Sequence, residues 1–574
     1  MPSRTLLRAA LVLTATGIVS ASSVRHWIGE GGSDLGFAVG YAFYLGLILI
    51  AAPLRPPRWA PLVAFALVAV TYAVAVLTLS GNAIAIGLYV LAASLAYAAT
   101  PVTFRPLTVA AFALWTPALR FFGPAPLANE FPPILAVASV IALIGLVAAT
   151  LDRTKVEPDE RLRRIGLGLV AIAVVATAVE RHLVVESKGL APDDLMALVV
   201  VLVLPILAVV PLRPTTRDAL ATGLALAAFT LVGMALLLGK GYHVDAVTVA
   251  HHAAEELLAG ENPYRTFDLP AALSEFGLDP ELVTHYEDGS PLHSLNYPAL
   301  NFLLVAPFVA AGLTDIRWIY LAEILIEVLV LLRAVRVPWR PLVAAAAVGN
   351  MIIVRQNILA GVDPTWSMLT IFAWIFIQKR WVSSTALGLA AASRQPAWFV
   401  APFYLLAIAK RDGRAEAVRR AGIVTAAALL PNLPFLIDAP KDFFDGISAP
   451  MLGSLAPYGV GFVGIGIYSQ LLLPRAVYGA LSAISFVALV ALLWRSWRRM
   501  PVGAVVFPFV PLYLAWRSLQ NYFGSVPLLA MAGDDDLIAG ASPARRDVIA
   551  ASARTPSTMP APAASGAAPT STAL

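Results

Sequence analysis

The sequence predicts an all-α fold, a polytopic transmembrane helical bundle, and three observations carry that prediction. Mean hydropathy is +0.79, and 59% of residues are hydrophobic against 13% charged, about half the charged share of a soluble domain. Apolar runs of membrane-spanning length recur along the 574 residues, and in lipid only helices and closed barrels satisfy the backbone polar groups of such runs. The basic residues behind the net charge of +5 sit in short loops between the apolar runs. There they act as topology determinants, not as a nucleic-acid footprint. The chain has no cysteine, which excludes disulfides, thiolate catalysis and cysteine-held metals.

Taken in order, the N-terminal MPSRTLLRAALVLTATGIVSAS has the outline of a signal peptide, with cleavage after Ala21 as the competing reading. With so many spans behind it, it reads as a first transmembrane helix. Apolar segments lie near 9–24, 36–53, 59–79, 82–99, 106–121, 132–151, 165–180, 195–212 and 219–239. Every second loop between them is basic: Arg55 and Arg58, then Arg105, then Arg153, Lys155, Arg161, Arg163 and Arg164, then Arg213 and Arg217. The positive-inside rule assigns those loops to the cytoplasm, and an odd number of spans then puts residue 240 outside. The loop 240–296, which holds HVDAVTVAHHAAEELLAGENPY (243–264), is therefore expected to be extracytoplasmic. Its charge agrees: Asp245, Glu255, Glu256, Glu261, Asp268, Glu275, Asp279, Glu281, Glu287 and Asp288 face only Lys240 and Arg265.

The segment YPALNFLLVAPFVAAGL (297–313) resembles a span, but a crossing there would place Arg333, Arg336 and Arg340 outside. Parity is restored if 297–313 is an interfacial helix and 316–333 is the crossing. Spans near 341–354, 365–378, 382–394, 396–409 and 421–437 put QKR (378–380) and KRDGRAEAVRR (410–420) inside, with GVDP (361–364) and SRQP (393–396) outside. Several are shorter than the ~17 residues a bilayer needs, which is tolerated where a helix lines a cavity. Loop 438–458 is external. GVGFVGIGIYSQLLL (459–473) is interfacial by the same parity reasoning, because RSWRR (495–499) belongs inside. Spans 501–516 and 522–533 flank an external WRSLQNY, and 534–574, rich in Pro, Ala, Ser and Thr, reads as a disordered cytoplasmic tail. Roughly 18 hydrophobic elements result, two of which do not cross. Residues 1–215 form a multi-span region of unknown role. Residues 216–533 form a module that carries nearly all the external polar groups, with 240–315 as its loop and interfacial helix.

Asp245 lies just beyond the end of the 219–239 segment. A carboxylate at a membrane–water boundary takes a proton from a hydroxyl held beside it. An ordinary solvated loop acid is the competing reading, and spacing alone favours it. His251, His252, Glu255 and Glu256 make two i,i+4 pairs, which usually stabilise a solvated helix face. HHxxEE lacks the spacing of the common zinc motif, so a divalent metal at His251 and Glu255 stays an open but unsupported alternative, and no other cofactor is expected. Arg394 and Gln395 interrupt apolar helices at the outer boundary. A guanidinium there suits a lipid phosphate, although an arginine snorkelling to headgroups explains it equally well. Arg355 and Arg517 are weaker candidates of the same kind; three outward arginines depart from the positive-inside expectation. GVGFVG (459–464) matches G-x-G-x-x-G without its strand–turn–helix context, so its glycines serve close packing or a bend. Asp534, Asp535 and Asp536 resemble an acidic metal motif, but they open the tail.

VDAV…AAEELLAGENPY, YPAL…APF, RQNILAGVDPTWSML and GLAAASRQPAWFVAPFYLLAIAKR occur in an order that resembles the integral-membrane GT-C glycosyltransferases, especially the family 87 polyprenyl-phosphate-mannose-dependent mannosyltransferases. The resemblance covers about 219–533, with LLxGxNPY after an acid its most specific motif. The chain departs from the pattern in Val247, Thr248 and Val249, where a Tyr is frequent, and in Arg394, where Lys is common. It implies an inverting transfer, on the outer face of the plasma (inner) membrane of the cell envelope, from a polyprenyl-phosphate sugar to a lipid, glycan or protein acceptor. No nucleic acid is expected as a partner. Asp245 would be the general base. Arg394 with Gln395, and Arg517 or Arg355, would meet the donor phosphate. His243, His252, Asn262, Tyr264, Tyr297 and Asp363 are the expected substrate contacts. A transporter, flippase or polysaccharide-assembly protein without transferase activity is the competing class. Against it, the ionisable residues are expected to gather at the outer boundary instead of mid-helix.

Overall fold

The computed structural model describes residues 213–348, 353–459, 472–497, 503–519 and 521–533 with a few isolated positions. The segments predicted between 9 and 212, most of 459–473 and the tail 534–574 lie outside the described residues. What is described is helical. α1 (Pro214–Gly239) starts on a proline, where the missing N–H would have had no partner in any case. Then come α2 (Asp245–Leu258), α3 (Arg317–Ala334), α4 (Arg340–Val348), α5 (Thr365–Ile375), α6 (Arg380–Ser393), α7 (Pro396–Arg411), α8 (Arg414–Asp438), α9 (Pro440–Ser448) and α10 (Arg475–Ser496). Thr215–Gly239, Arg414–Asp438 and Arg475–Ser496 are long and apolar enough to cross a membrane.

Proline and asparagine set most of the breaks. The apolar stretch Leu300–Ala310 is split into Leu300–Leu303 and Ala306–Ala310. Even end to end it would reach only ~16 Å at 1.5 Å per residue, against a hydrocarbon core of about 30 Å. The predicted span 341–354 stops at Val348 and gives way to a π-helical turn, Ile353–Leu359. Asn350 turns the chain here: its side chain donates to the Gly524 carbonyl at 2.6 Å and accepts from the Ile353 N–H at 3.3 Å. The 501–516 and 522–533 spans are likewise divided, into Gly503–Val506 and Phe509–Leu514, and into Asn521–Gly524 and Val526–Ala532.

Two apolar cores result. The larger joins α1, α3, α4, α5, α6 and α7 through residues such as Phe229, Leu331, Trp366 and Phe403. α6 meets α8 closely because Gly388 has no side chain; a Cβ there would overlap the Val424 carbonyl and Ala427, the small-residue contact usual between membrane helices. The smaller core lies under the acidic segment, where Val247, Ala250 and Ala253 of α2 pack with Tyr264, Leu273, Phe302 and Phe435. The 240–296 region is thus a folded helical unit, including the short helices Pro263–Thr266 and Leu269–Glu275.

One expectation is corrected. Ionisable residues do not gather only at a boundary: Glu323 and Glu327, one helical turn apart in the middle of α3, are both buried. They are tolerated because hydroxyls meet them. Thr365 Oγ1 donates to Glu323 at 2.9 Å, and Ser367 Oγ donates to Glu327 at 3.1 Å.

Candidate active site

Asp245 is the first residue of α2, preceded by Val244 in extended conformation. The helix N-terminus favours a negative charge at this position. Thr284 Oγ1 donates to Asp245 Oδ2 at 3.2 Å. The residue as a whole is partly buried. Burial raises its pKa above the usual value, and the Thr284 hydroxyl, Arg517 and Arg394 pull in the opposite direction. Two guanidiniums and the carboxyl therefore share one site.

Arg394 and Gln395 form the joint between α6 and α7. Arg394 caps α6 in extended conformation, and Pro396 opens α7. The break turns the Arg394 side chain inward. It is 3% exposed, lies over the Tyr297 ring at 4.3 Å from its centroid, and donates from Nη1 to the Asp363 carbonyl at 3.4 Å. A nearly dehydrated arginine held by the Tyr297 ring face and hydroxyl and by one long bond to the Asp363 carbonyl keeps further N–H donors for an anion. Gln395 is occupied with the backbone: Nε2 donates to the carbonyls of Asn296 at 2.7 Å and Ile447 at 3.2 Å.

Arg517 arrives from elsewhere in the chain through a small patch of extended backbone. Tyr286 bridges Leu455 antiparallel, with Glu287 N–H to Ser454 and Ala456 N–H to His285 at 2.7 and 2.9 Å. Tyr458–Gly459 then pairs parallel with Arg517–Ser518. The patch brings Thr284 and Arg517 to the same carboxylate. Arg517 Nη1 donates to Ala456 O at 2.8 Å, and its guanidinium stands 5.8 Å from the Tyr458 ring centre. Arg355 lies on the π-helical turn, and its side chain is outside the described residues.

The expected substrate contacts divide. Tyr297 is in the site, under Arg394. Tyr264 is a step behind it: buried among Phe302, Phe435 and Phe443, it donates from its hydroxyl to the Tyr297 carbonyl at 2.7 Å. Asp363 is buried, accepts from Thr365 N–H at 2.7 Å and from Asn301 Nδ2 at 3.1 Å, and supplies the carbonyl that Arg394 meets. Asn262 caps the Pro263–Thr266 helix through Tyr264 N–H at 3.0 Å and donates to Asp438 at 2.7 Å. His243 is exposed and bonds only locally, to Gly241 O at 3.4 Å. His252 turns toward Glu275, at 2.7 Å. Asn262, His243 and His252 are thus engaged away from Asp245.

Sequence reading passed over Thr284 and Tyr522. A lone threonine in a polar segment carries no pattern. Tyr522, at the edge of an apolar run, lies within electrostatic reach of Arg394, Tyr297 and Arg517. Arg317 was also missed: 1% exposed, it pairs with Asp315 at 2.7 Å and donates to the carbonyls of Leu237 at 3.3 Å, Lys240 at 2.6 Å and Leu359 at 3.0 Å. Compared with family models, curated proteins and solved structures, the chain matches none.

Proposed function

We propose that the chain is a membrane glycosyltransferase. It moves a hexose, mannose foremost, from a polyprenyl-phosphate sugar to a lipid, glycan or protein acceptor on the extracytoplasmic face of the plasma membrane, with inversion. The observation that carries this reading is one partly enclosed carboxyl, Asp245, within electrostatic reach of two arginines, Arg394 and Arg517. In the reaction, Asp245 removes the acceptor hydroxyl's proton as the oxygen bonds to the anomeric carbon. The bond from that carbon to the phosphate oxygen breaks, and the electron pair leaves with the polyprenyl phosphate. Arg394, with Arg517 beside it, meets the developing phosphate charge. The upward push on the Asp245 pKa serves a base, since a carboxylate with more affinity for a proton drives the transfer better.

A second reading, a transporter or flippase without transferase activity, draws support from the buried Glu323 and Glu327. Intramembrane acids usually mark an ion or substrate path. Radiolabelled sugar transfer from polyprenyl-phosphate-mannose in membranes separates the two. Asp245→Asn is expected to lower transfer ~10²–10⁴-fold, the usual contribution of a general base. Unchanged transfer in the variant would remove Asp245 from that role, and its absence in the wild type would favour the transporter.

A further inference from the structure

α2 continues past Asp245 to a second cluster. Seven residues on, about 10 Å along the helix, His252 faces the Leu269–Glu275 helix. Its Nδ1 lies 2.7 Å from Glu275 Oε2 and 3.9 Å from Glu255 Oε2, and one ligand atom from each of the three side chains falls within 4.8 Å of the others. His252 Nδ1 and Glu255 Oε2 are both buried and neither makes a hydrogen bond, so the close approach to Glu275 is off the line of one. On the far side of the ring, Nε2 faces Glu256 Oε1 at 3.6 Å. Nδ1 is the ring nitrogen turned toward Glu255 and Glu275.

We propose that His252, Glu255 and Glu275 form a divalent-cation site, suited to Zn²⁺ above Mg²⁺ or Ca²⁺. One nitrogen and two carboxylate oxygens match zinc, whereas the harder cations take oxygen ligands. Bonds of 2.0–2.1 Å in a tetrahedron put neighbouring ligand atoms about 3.3 Å apart. The observed 2.7 and 3.9 Å bracket that spacing, and water would fill the fourth position. The ion would tie α2 to the Leu269–Glu275 helix. It stands too far from Asp245 to touch the reacting atoms, and the site holds whether or not the chain transfers sugar. The sequence drew attention to His251 and Glu255. The fold instead selects His252, because His251 Nδ1 bonds to the Tyr242 hydroxyl at 2.9 Å and the third ligand comes from another helix.

The test uses the full-length chain in detergent, free of affinity tags and stripped with a chelator, titrated with Zn²⁺ by calorimetry. One ion per chain is expected to bind the wild type, and at least tenfold more weakly Glu275→Gln and Glu255→Gln. Glu275 is 54% exposed, so its replacement leaves packing intact. Zn²⁺ is also expected to raise the melting temperature of the wild type and not that of Glu275→Gln. Equal affinity in wild type and variants, or no stoichiometric binding by the wild type, would overturn the site.

Discussion

Asp245 occupies its position against its own electrostatic preference. Burial raises its pKa, and the nearby hydroxyl and arginines only partly offset that. The folded chain therefore holds the proton to a higher pH than the unfolded chain, whose carboxyl titrates near 3.8. Between those two values the native state binds more protons, so stability falls as pH rises through the window and stays lowered above it. Asp245→Asn removes that loss. The variant is expected to melt above the wild type at pH 7. The gap should close as pH is lowered toward 4. A wild type that melts higher at pH 7 would mean that Arg394 and Arg517 outweigh burial. At this scale the sequence was readable where a polar residue breaks an apolar run, as Arg394 does, whereas Asp245 sits in a polar loop and was singled out by its place just past the 219–239 segment and by the family resemblance. Thr284, polar among polar neighbours, offered no such contrast.

Joints between elements, more than the helices, assemble the site. The α6–α7 joint delivers Arg394, Gln395 anchors it to Asn296 and Ile447, and the parallel pairing of Tyr458–Gly459 with Arg517–Ser518 delivers Arg517. That pairing depends on Gly459, whose φ is +134 and whose missing Cβ would coincide with the Ser518 carbonyl. Gly459→Ala is expected to separate the two segments. In the transfer assay this should lower activity at least tenfold while α-helical circular dichroism stays unchanged, because two residues of strand contribute almost nothing to it. Full activity in Gly459→Ala would show that Arg517 reaches the site without the pairing. The glycine's packing role was legible in GVGFVG, since no nucleotide-binding context surrounds it. The strand was not: two residues have no period, and their partners lie about sixty positions away in sequence. The helices from α5 to α8 fell near their expected places because apolar runs ended by proline or charge are strong local signals.

The two apolar cores must be held in register if groups from both are to meet at Asp245, and Arg317 is placed to do this. It stands at the start of α3, takes the carbonyls at the end of α1 (Leu237 and Lys240), reaches Leu359 at the end of the π-helical turn, and pairs with Asp315. Carbonyls at a helix C-terminus lack intrahelical donors, so one buried guanidinium satisfies several at once while the dipole of α1 favours its charge. No sequence signal marked it, because an arginine beside an aspartate at the head of an apolar segment reads as a surface ion pair. Arg317→Met keeps the apolar stem and removes every one of those bonds. Losing one partner of a buried pair costs about 3–5 kcal/mol; Asp315 is 22% exposed, so the lower end applies. The unfolding midpoint of the purified chain in detergent is expected to fall by several degrees. The double variant Arg317→Met with Asp315→Asn should recover part of the loss, because the stranded carboxylate is then gone, but not all, because the Leu237, Lys240 and Leu359 carbonyls remain without their donor. Full recovery in the double variant would reduce Arg317 to a partner for Asp315 alone, and the register of the two cores would have to come from packing.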